Sequence, residues 1–191
     1  MIEVEIKLPV KSIEEVKAVL LENGFHKDKH IREHDIYFDG ERHIKDHGEA
    51  LRIRETTNAE TGGTAAQMNF KGQKMDRITM TRRELEMEIG CAEIGINILK
   101  AIGFFPVIPE VVKDREMLVC NDITACLDRV KGLGDFLELE ILTEEEPLTS
   151  GQHGEESIKA KKRIEKFLHK LGYTMEDTVS VSYLSMLQDK Y

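Results

Sequence analysis

Ile2-Glu3-Val4-Glu5-Ile6-Lys7-Leu8 opens the chain with strict alternation of apolar and charged residues. Successive side chains of a strand point to opposite faces, so this segment carries two carboxylates and an ammonium on one face and a hydrophobic row on the other. The same decoration recurs downstream. Arg52 and Arg54 alternate with Leu51 and Ile53; Gln67, Asn69 and Lys71 alternate with Met68 and Phe70. Arg82, Glu84, Glu86 and Glu88 oppose Leu85, Met87 and Ile89, and Glu138 and Glu140 oppose Leu137, Leu139 and Ile141. Lys113 and Arg115 are also two apart, although Asp114 and Glu116 make that face ambiguous, and Asp128 between Leu127 and Arg129 is a weaker case.

Each such strand alone reads best as half-exposed, its charges facing water as in a sandwich. Together they read differently, because acids cluster on the first and last strands and bases fill several of the middle ones. A closed antiparallel barrel would aim both sets inward, and about eight strands leave room for one small ligand. Such an interior must be paired or liganded, since isolated buried charge is very costly. Arginine and lysine suit polyphosphate oxygens, and paired carboxylates suit magnesium or manganese bridging to phosphates.

The chain has 191 residues, enough for a proper core in one domain over 1–191. A net charge of −9 argues against nucleic-acid or anionic-membrane partners, while leaving room for an anion in a locally basic cleft. No apolar run approaches the roughly 18 residues that span a bilayer, and the N-terminus lacks a signal-peptide pattern, so a cytoplasmic protein is expected. Cys91, Cys120 and Cys126 form no CxxC pair and read as reduced, mostly buried thiols. A homodimer is compatible with all of this.

Helices are expected over Ser12–Asn23, with Ser12 and Glu15 as a capping box, over Ala92–Ile102, over Glu155–Leu171 and from Ser182 to the C-terminus. Gly24, Gly103 and Gly172 stop the first three, each followed by an aromatic residue. Strands are expected at Glu3–Leu8, Asp35–Phe38, Ala50–Glu55, Ala65–Lys71, Thr79–Ile89, Val111–Val119, Ile123–Arg129 and Phe136–Leu142. Turns are expected at Glu60–Thr64, Gly72–Asp76 and Gly132–Asp135, and a loop over Thr143–Gly154. Strands following one another without crossover helices favour antiparallel pairing, with the helices outside. The expected class is α+β, mainly β: a closed eight-stranded antiparallel barrel.

Glu3-x-Glu5-x-Lys7, His34-Asp35-Ile36-Tyr37-Phe38-Asp39, Leu51-Arg52-Ile53-Arg54, Phe70-Lys71-Gly72, Arg82-x-Glu84-x-Glu86, Lys113-x-Arg115, and Leu127-Asp128 leading to Gly132-Leu133-Gly134-Asp135-Phe136 and Glu138-x-Glu140 follow one another along nearly the whole chain. The set resembles the CYTH superfamily, the triphosphate tunnel metalloenzymes. The second-strand and Gly134-Asp135-Phe136 segments, with Ser182-Tyr183-Leu184, look most like the class IV adenylyl cyclase branch.

That resemblance implies a tunnel binding a triphosphate with magnesium or manganese. By it, Glu5 and Glu138 lead the metal ligands with Glu3 and Glu140 in support. Lys7, Arg54, Lys71, Lys113 and Arg115 grip phosphates, with Arg52 and Arg82 contributing. Asp128 lies near the second metal or the nucleophile, Glu84 and Glu86 support the bases or a metal, and the catalytic set is Glu5, Lys7, Asp128 and Glu138. The implied reaction is conversion of ATP to 3′,5′-cyclic AMP and pyrophosphate. The alternatives are metal-dependent hydrolysis of thiamine triphosphate, tripolyphosphate or a nucleotide, and a binding module without turnover.

Two other patterns are weighed against plainer readings. His26, His30 and His34, with His43 and His47, repeat a four-residue spacing, but a scattered, mostly exposed set is the better reading than a zinc site. Gly132-x-Gly134 is a tight turn, since no dinucleotide or P-loop fingerprint follows it.

Overall fold

The computed structural model describes residues 2–74, 82–143 and 155–190. Eight antiparallel strands close into a barrel: β1 (Ile2–Pro9), β2 (His26–Gly40), β3 (Ala50–Asn58), β4 (Thr64–Lys74), β5 (Arg82–Ile89), β6 (Phe104–Cys120), β7 (Ile123–Val130) and β8 (Gly134–Thr143). Around the barrel they run β1-β5-β4-β3-β2-β6-β7-β8. Two meanders, β2 to β5 and β6 to β8, are joined at β2–β6, and β1 closes the ring between β5 and β8. The first strand therefore lies beside the last, with Glu5 opposite Glu140 and Lys7 opposite Glu138.

The helices α1 (Ile13–Glu22), α2 (Ala92–Ala101), α3 (Glu155–Lys170) and α4 (Tyr183–Gln188) pack outside or across one end. Ser12 caps α1 by accepting a hydrogen bond from the Glu15 amide at 3.2 Å. Gly24 and Gly172 adopt the left-handed conformation at φ 88° and 81°, which lets the amides of Phe25 and Tyr173 reach back to the carbonyls of Leu20 and Leu168. The main core lies between the barrel's outer face and its helices. Ile2, Val4, Ile6 and Leu8 pack there with Leu20 of α1, Ile164 and Leu168 of α3, and Leu137 and Leu139 of β8. The hydrophobic row of the opening strand thus faces outward and its charged row faces the lumen.

Several expected boundaries move. β2 starts at His26, nine residues before Asp35, because it pairs with both β3 and β6 while both its faces are polar, which hides the alternation. β6 starts at Phe104 and accommodates its prolines beside a register shift opposite Asp35–Tyr37. The expected turn from Gly72 is strand instead: β4 runs to Lys74 and absorbs the glycine in a bulge between Lys71 and Lys74. The remainder of that turn, the Thr79–Thr81 start of the fifth strand and nearly all of the Thr143–Gly154 loop lie outside the described residues. The three thiols are free, but only Cys126 is buried; Cys91 is exposed at the start of α2 and Cys120 is half-buried at the end of β6.

Candidate active site

The lumen is a cavity of about 1140 Å³. Glu3, Glu5, Lys7, Arg52, Arg54, Lys71, Arg82, Glu84, Glu86, Lys113, Arg115, Glu138 and Glu140 all bound it. Strand alternation alone accounts for this convergence, since each of these residues occupies the inward parity of its strand. Among the described buried residues, six carboxylates (Glu3, Glu5, Glu33, Asp35, Asp128, Glu138) are matched by six cations (Lys7, Arg52, Arg54, Arg82, Lys113, Arg115). The lining is therefore charged but close to neutral.

Pairing inside the lumen is dense. Arg54 donates to both oxygens of Asp35, at 2.6 and 2.8 Å, and to Glu33 at 2.9 Å. Glu33 also lies 2.9 Å from the Lys113 ammonium. Arg115 forks onto Asp128 at 2.6 and 2.5 Å and reaches Glu138 as well. Lys7 lies 3.1 Å from Glu138, and Lys71 is 2.7 Å from Glu3 and 3.2 Å from Glu84. Arg52 is held by Asp35 and by the Tyr37 hydroxyl, both at 3.3 Å.

These contacts divide the carboxylates into two kinds. Burial would raise Glu33, Asp35 and Glu138, but the cations beside each prevail: Arg54 and Lys113 bring Glu33 down to about 2, Arg52 and Arg54 hold Asp35 far below the carboxylate range, and Arg115 and Lys7 do the same for Glu138. Glu5 and Glu140 behave in the opposite way. Burial, then repulsion from Glu138 and Glu3, lifts Glu5 to about 6; burial, then repulsion from Glu3, lifts Glu140 to about 8. These two face each other across β1 and β8 with too little positive charge between them.

Among the described residues, no three carboxylate, imidazole or thiol groups converge as a ready metal cage. The donor chemistry nevertheless fits a hard divalent cation. Glu5 and Glu140 are paired oxygen ligands with a deficit of positive charge, and Glu3 and Glu138 flank them on the same two strands. The described histidines do not enter the lumen: His30 and His34 sit on the outer side of β2 and bond Asp114 at 2.8 Å and Glu110 at 2.7 Å on β6.

Asp128 stands apart from the other expected site residues. It is fully buried behind Arg115 and is not among the residues bounding the cavity; it accepts from Arg115 and from the Tyr183 hydroxyl at 2.9 Å. Its place is that of an orienter of Arg115. Glu33, Asp35, Tyr37 and Tyr183 escape the motif reading as site residues; all but the buried Asp35 bound the cavity. The signal for the first three is a two-residue spacing in β2, masked by the charges of Arg32 and His34 on the other face. Tyr183 arrives on α4, whose ring lies 4.1 Å below the Lys7 ammonium and 5.3 Å from that of Lys113.

The model of the CYTH domain matches residues 1–183. This chain belongs to the CYTH family. A Methanocaldococcus jannaschii protein named "Putative adenylate cyclase" is 42% identical over 141 residues, covering 73% of this chain and 77% of that protein. A solved Pyrococcus horikoshii protein has the same fold at TM-score 0.85 and 32% identity, with 99% of each chain covered. A Hippeastrum protein, described as a "Putative adenylyl cyclase" with a dominant triphosphatase activity, shares the fold at TM-score 0.66 and 20% identity, covering 99% of this chain and 95% of its own. The barrel of this CYTH chain is therefore the family's tunnel, and no helix among its described residues is long and apolar enough to cross a membrane.

Proposed function

We propose that this CYTH chain is a divalent-metal-dependent triphosphate enzyme of the class IV adenylyl cyclase kind, converting ATP to 3′,5′-cyclic AMP and pyrophosphate. The observation that carries the reading is a single lumen holding Lys7, Arg52, Arg54, Lys71, Lys113 and Arg115 beside an under-compensated carboxylate pair, Glu5 and Glu140. The cations bind and align the triphosphate, and neutralise charge that builds on the phosphoryl oxygens as the bond to the leaving pyrophosphate breaks. Asp128 and Glu138 hold the Arg115 guanidinium in position for that role. Glu84 and Glu86 position Lys71 and Asn69, which they contact at 3.2 and 2.5 Å.

Glu5, Glu138, Glu3 and Glu140 would hold magnesium or manganese, which when bound acidifies a coordinated hydroxyl and stabilises the departing pyrophosphate. No histidine among the described residues bounds the cavity, so the proton of the ribose 3′-hydroxyl falls to the Glu5–Glu140 carboxylates. Charge balance supports a metal: a neutral lining gains nothing from a bare polyanion, whereas a cation on the carboxylates frees lysines and arginines for phosphate.

Hydrolysis is the second reading. The same clamp serves attack by water on a terminal phosphate, and the Hippeastrum protein of this fold is described with that activity dominant. Purified protein incubated in parallel with ATP, tripolyphosphate and thiamine triphosphate, with magnesium or manganese, separates the two. Cyclic AMP with pyrophosphate is the expected outcome, and orthophosphate without cyclic AMP selects hydrolysis.

A further inference from the structure

Arg52, Arg54 and Arg115 all face the lumen, but they are anchored differently. Arg54 and Arg115 each direct Nε at a buried carboxylate, Asp35 and Asp128 respectively, at 2.6 Å, and each adds a second bond to the same carboxylate. Arg52 directs Nε at a neutral group instead, the side-chain carbonyl of Asn69, at 3.5 Å. Its remaining contacts are loose: Asp35 and the Tyr37 hydroxyl at 3.3 Å, and Glu84 at 4.0 Å. Arg52 is therefore the least compensated of the three.

Register places Tyr37, Arg52, Asn69 and Glu86 in one row across β2, β3, β4 and β5. Asn69 is 1% exposed and is not among the residues bounding the cavity, whereas Arg52 and Glu86 on either side of it are. Asn69 donates to one Glu86 oxygen at 2.5 Å, and Gln67 donates to the other at 3.0 Å. A carboxylate accepts and does not donate, so Glu86 decides which way round the Asn69 amide sits: its NH2 turns to Glu86 and its oxygen to Arg52. The reversed amide would set acceptor against acceptor on one side and donor against guanidinium on the other.

We infer that Asn69, oriented by Glu86, is a positioning residue for Arg52, and that its neutral carbonyl fixes the direction of this guanidinium while leaving its charge available to an anion. This rests on the triphosphate reading above. A carboxylate at position 69 would hold Nε more strongly, as Asp35 and Asp128 hold theirs, and would compete with an arriving phosphate. A residue without an acceptor would leave the guanidinium to be ordered on binding, which weakens affinity by about threefold to tenfold. The amide avoids both losses.

Two variants test the relay, with melting curves to verify folding: Glu86→Gln, which lets the Asn69 amide turn over, and Asn69→Asp with Glu86→Gln, which moves the carboxylate next to Arg52 at constant net charge. The readouts are hydrogen exchange at the Arg52 Nε–H, by NMR of the full chain without ligand, and isothermal titration of tripolyphosphate with magnesium. In Glu86→Gln the Nε–H should exchange about tenfold faster, the scale of one hydrogen bond to a charged group. Tripolyphosphate should bind about threefold to tenfold more weakly, although loss of a negative charge alone would tighten an anion. In the double variant Nε–H protection should return while tripolyphosphate stays at least about threefold weaker than in the wild type, because a carboxylate now holds the guanidinium. Unchanged exchange in Glu86→Gln, tighter tripolyphosphate binding by it, or wild-type affinity in the double variant overturns the inference. Absence of tripolyphosphate binding by the wild type sinks the triphosphate reading itself, while the exchange rates still decide whether Glu86 and Asn69 orient Arg52.

Discussion

Asp35→Asn tests whether the lumen is a set of cations held ready for an anion. Asp35 is 1% exposed and accepts from Arg54 through both oxygens and from Arg52 through one. Amidation keeps the shape and removes the charge, leaving the Arg54 guanidinium with Glu33 alone and the Arg52 guanidinium with the Tyr37 hydroxyl and with Glu84 at 4.0 Å. Breaking a buried ion pair from one side costs about 3–5 kcal/mol. For a chain of this size each kcal/mol moves the melting temperature by about 2–4 °C, so a fall of roughly 10 °C is expected. The same change should strengthen anion binding, because Arg52 and Arg54 no longer have to leave Asp35 to reach a phosphate. Tripolyphosphate with magnesium should therefore raise the variant's melting temperature more than the wild type's, in differential scanning fluorimetry across a ligand series. A shift under about 2 °C without ligand would show that water already screens these pairs. A smaller ligand-induced shift in the variant would show that Asp35 assists the anion instead of competing with it.

Lowering pH should reproduce part of that loss. Glu33 is depressed from 4.5 to about 2 and Asp35 is depressed too, so their stabilisation is complete above the unfolded values and disappears as pH falls through the folded ones; melting temperature should drop between about pH 4.5 and 2, with a shallower drop in Asp35→Asn. Glu5→Ala and Glu138→Ala should each abolish metal-dependent turnover, and retained activity in either would refute the carboxylate assignment. Tyr183→Phe keeps the ring under Lys7 and removes the hydroxyl from Asp128, a hydrogen bond to a charged group worth about 1.5–3 kcal/mol; a lower melting temperature and a raised KM are expected, and an unchanged pair of values would detach α4 from the site. His34→Gln should change stability by less than about 1 kcal/mol, as surface pairs do, and zinc should not raise the melting temperature of the wild type; a zinc-dependent rise lost in the variant would reveal a site on the outer face.

The opening strand was legible because its two faces differ cleanly, and the same holds for β3, β4, β5 and β8. Their parity puts Glu3, Glu5, Lys7, Arg52, Arg54, Lys71, Glu138 and Glu140 on the charged face of each strand, and closure of the barrel makes that face the lumen. β2 was mostly illegible for a physical reason. Its inward Glu33 and Asp35 answer the arginines, while its outward Arg32 and His34 face solvent and surface acids, so polarity does not alternate and the strand's true start at His26 is hidden. Tyr183 illustrates a different limit. It meets Asp128 from 55 residues away, through the docking of a six-residue helix, and no local pattern encodes that contact. Asp128 is the converse case: the motif marks it, but its position behind Arg115 depends on three strands stacking in register.

The division of labour between the two faces of the barrel explains how such a lumen survives. A protein whose only core held twelve buried charges would have little to set against their desolvation. Here the apolar rows of β1, β7 and β8 are buried on the outside against α1 and α3, where Ile2, Leu8, Leu20, Leu137, Leu139, Ile164 and Leu168 are shielded almost completely from water. Hydrophobic burial at about 25 cal/mol per Å² is collected on that outer shell, independently of what happens in the lumen. The interior is then free to be selected for charge alone. Its carboxylates are of two kinds for that reason: Glu33, Asp35 and Glu138 are held ionised by the cations beside them, while burial and repulsion raise Glu5 and Glu140, the pair to which the proposed function assigns a divalent metal.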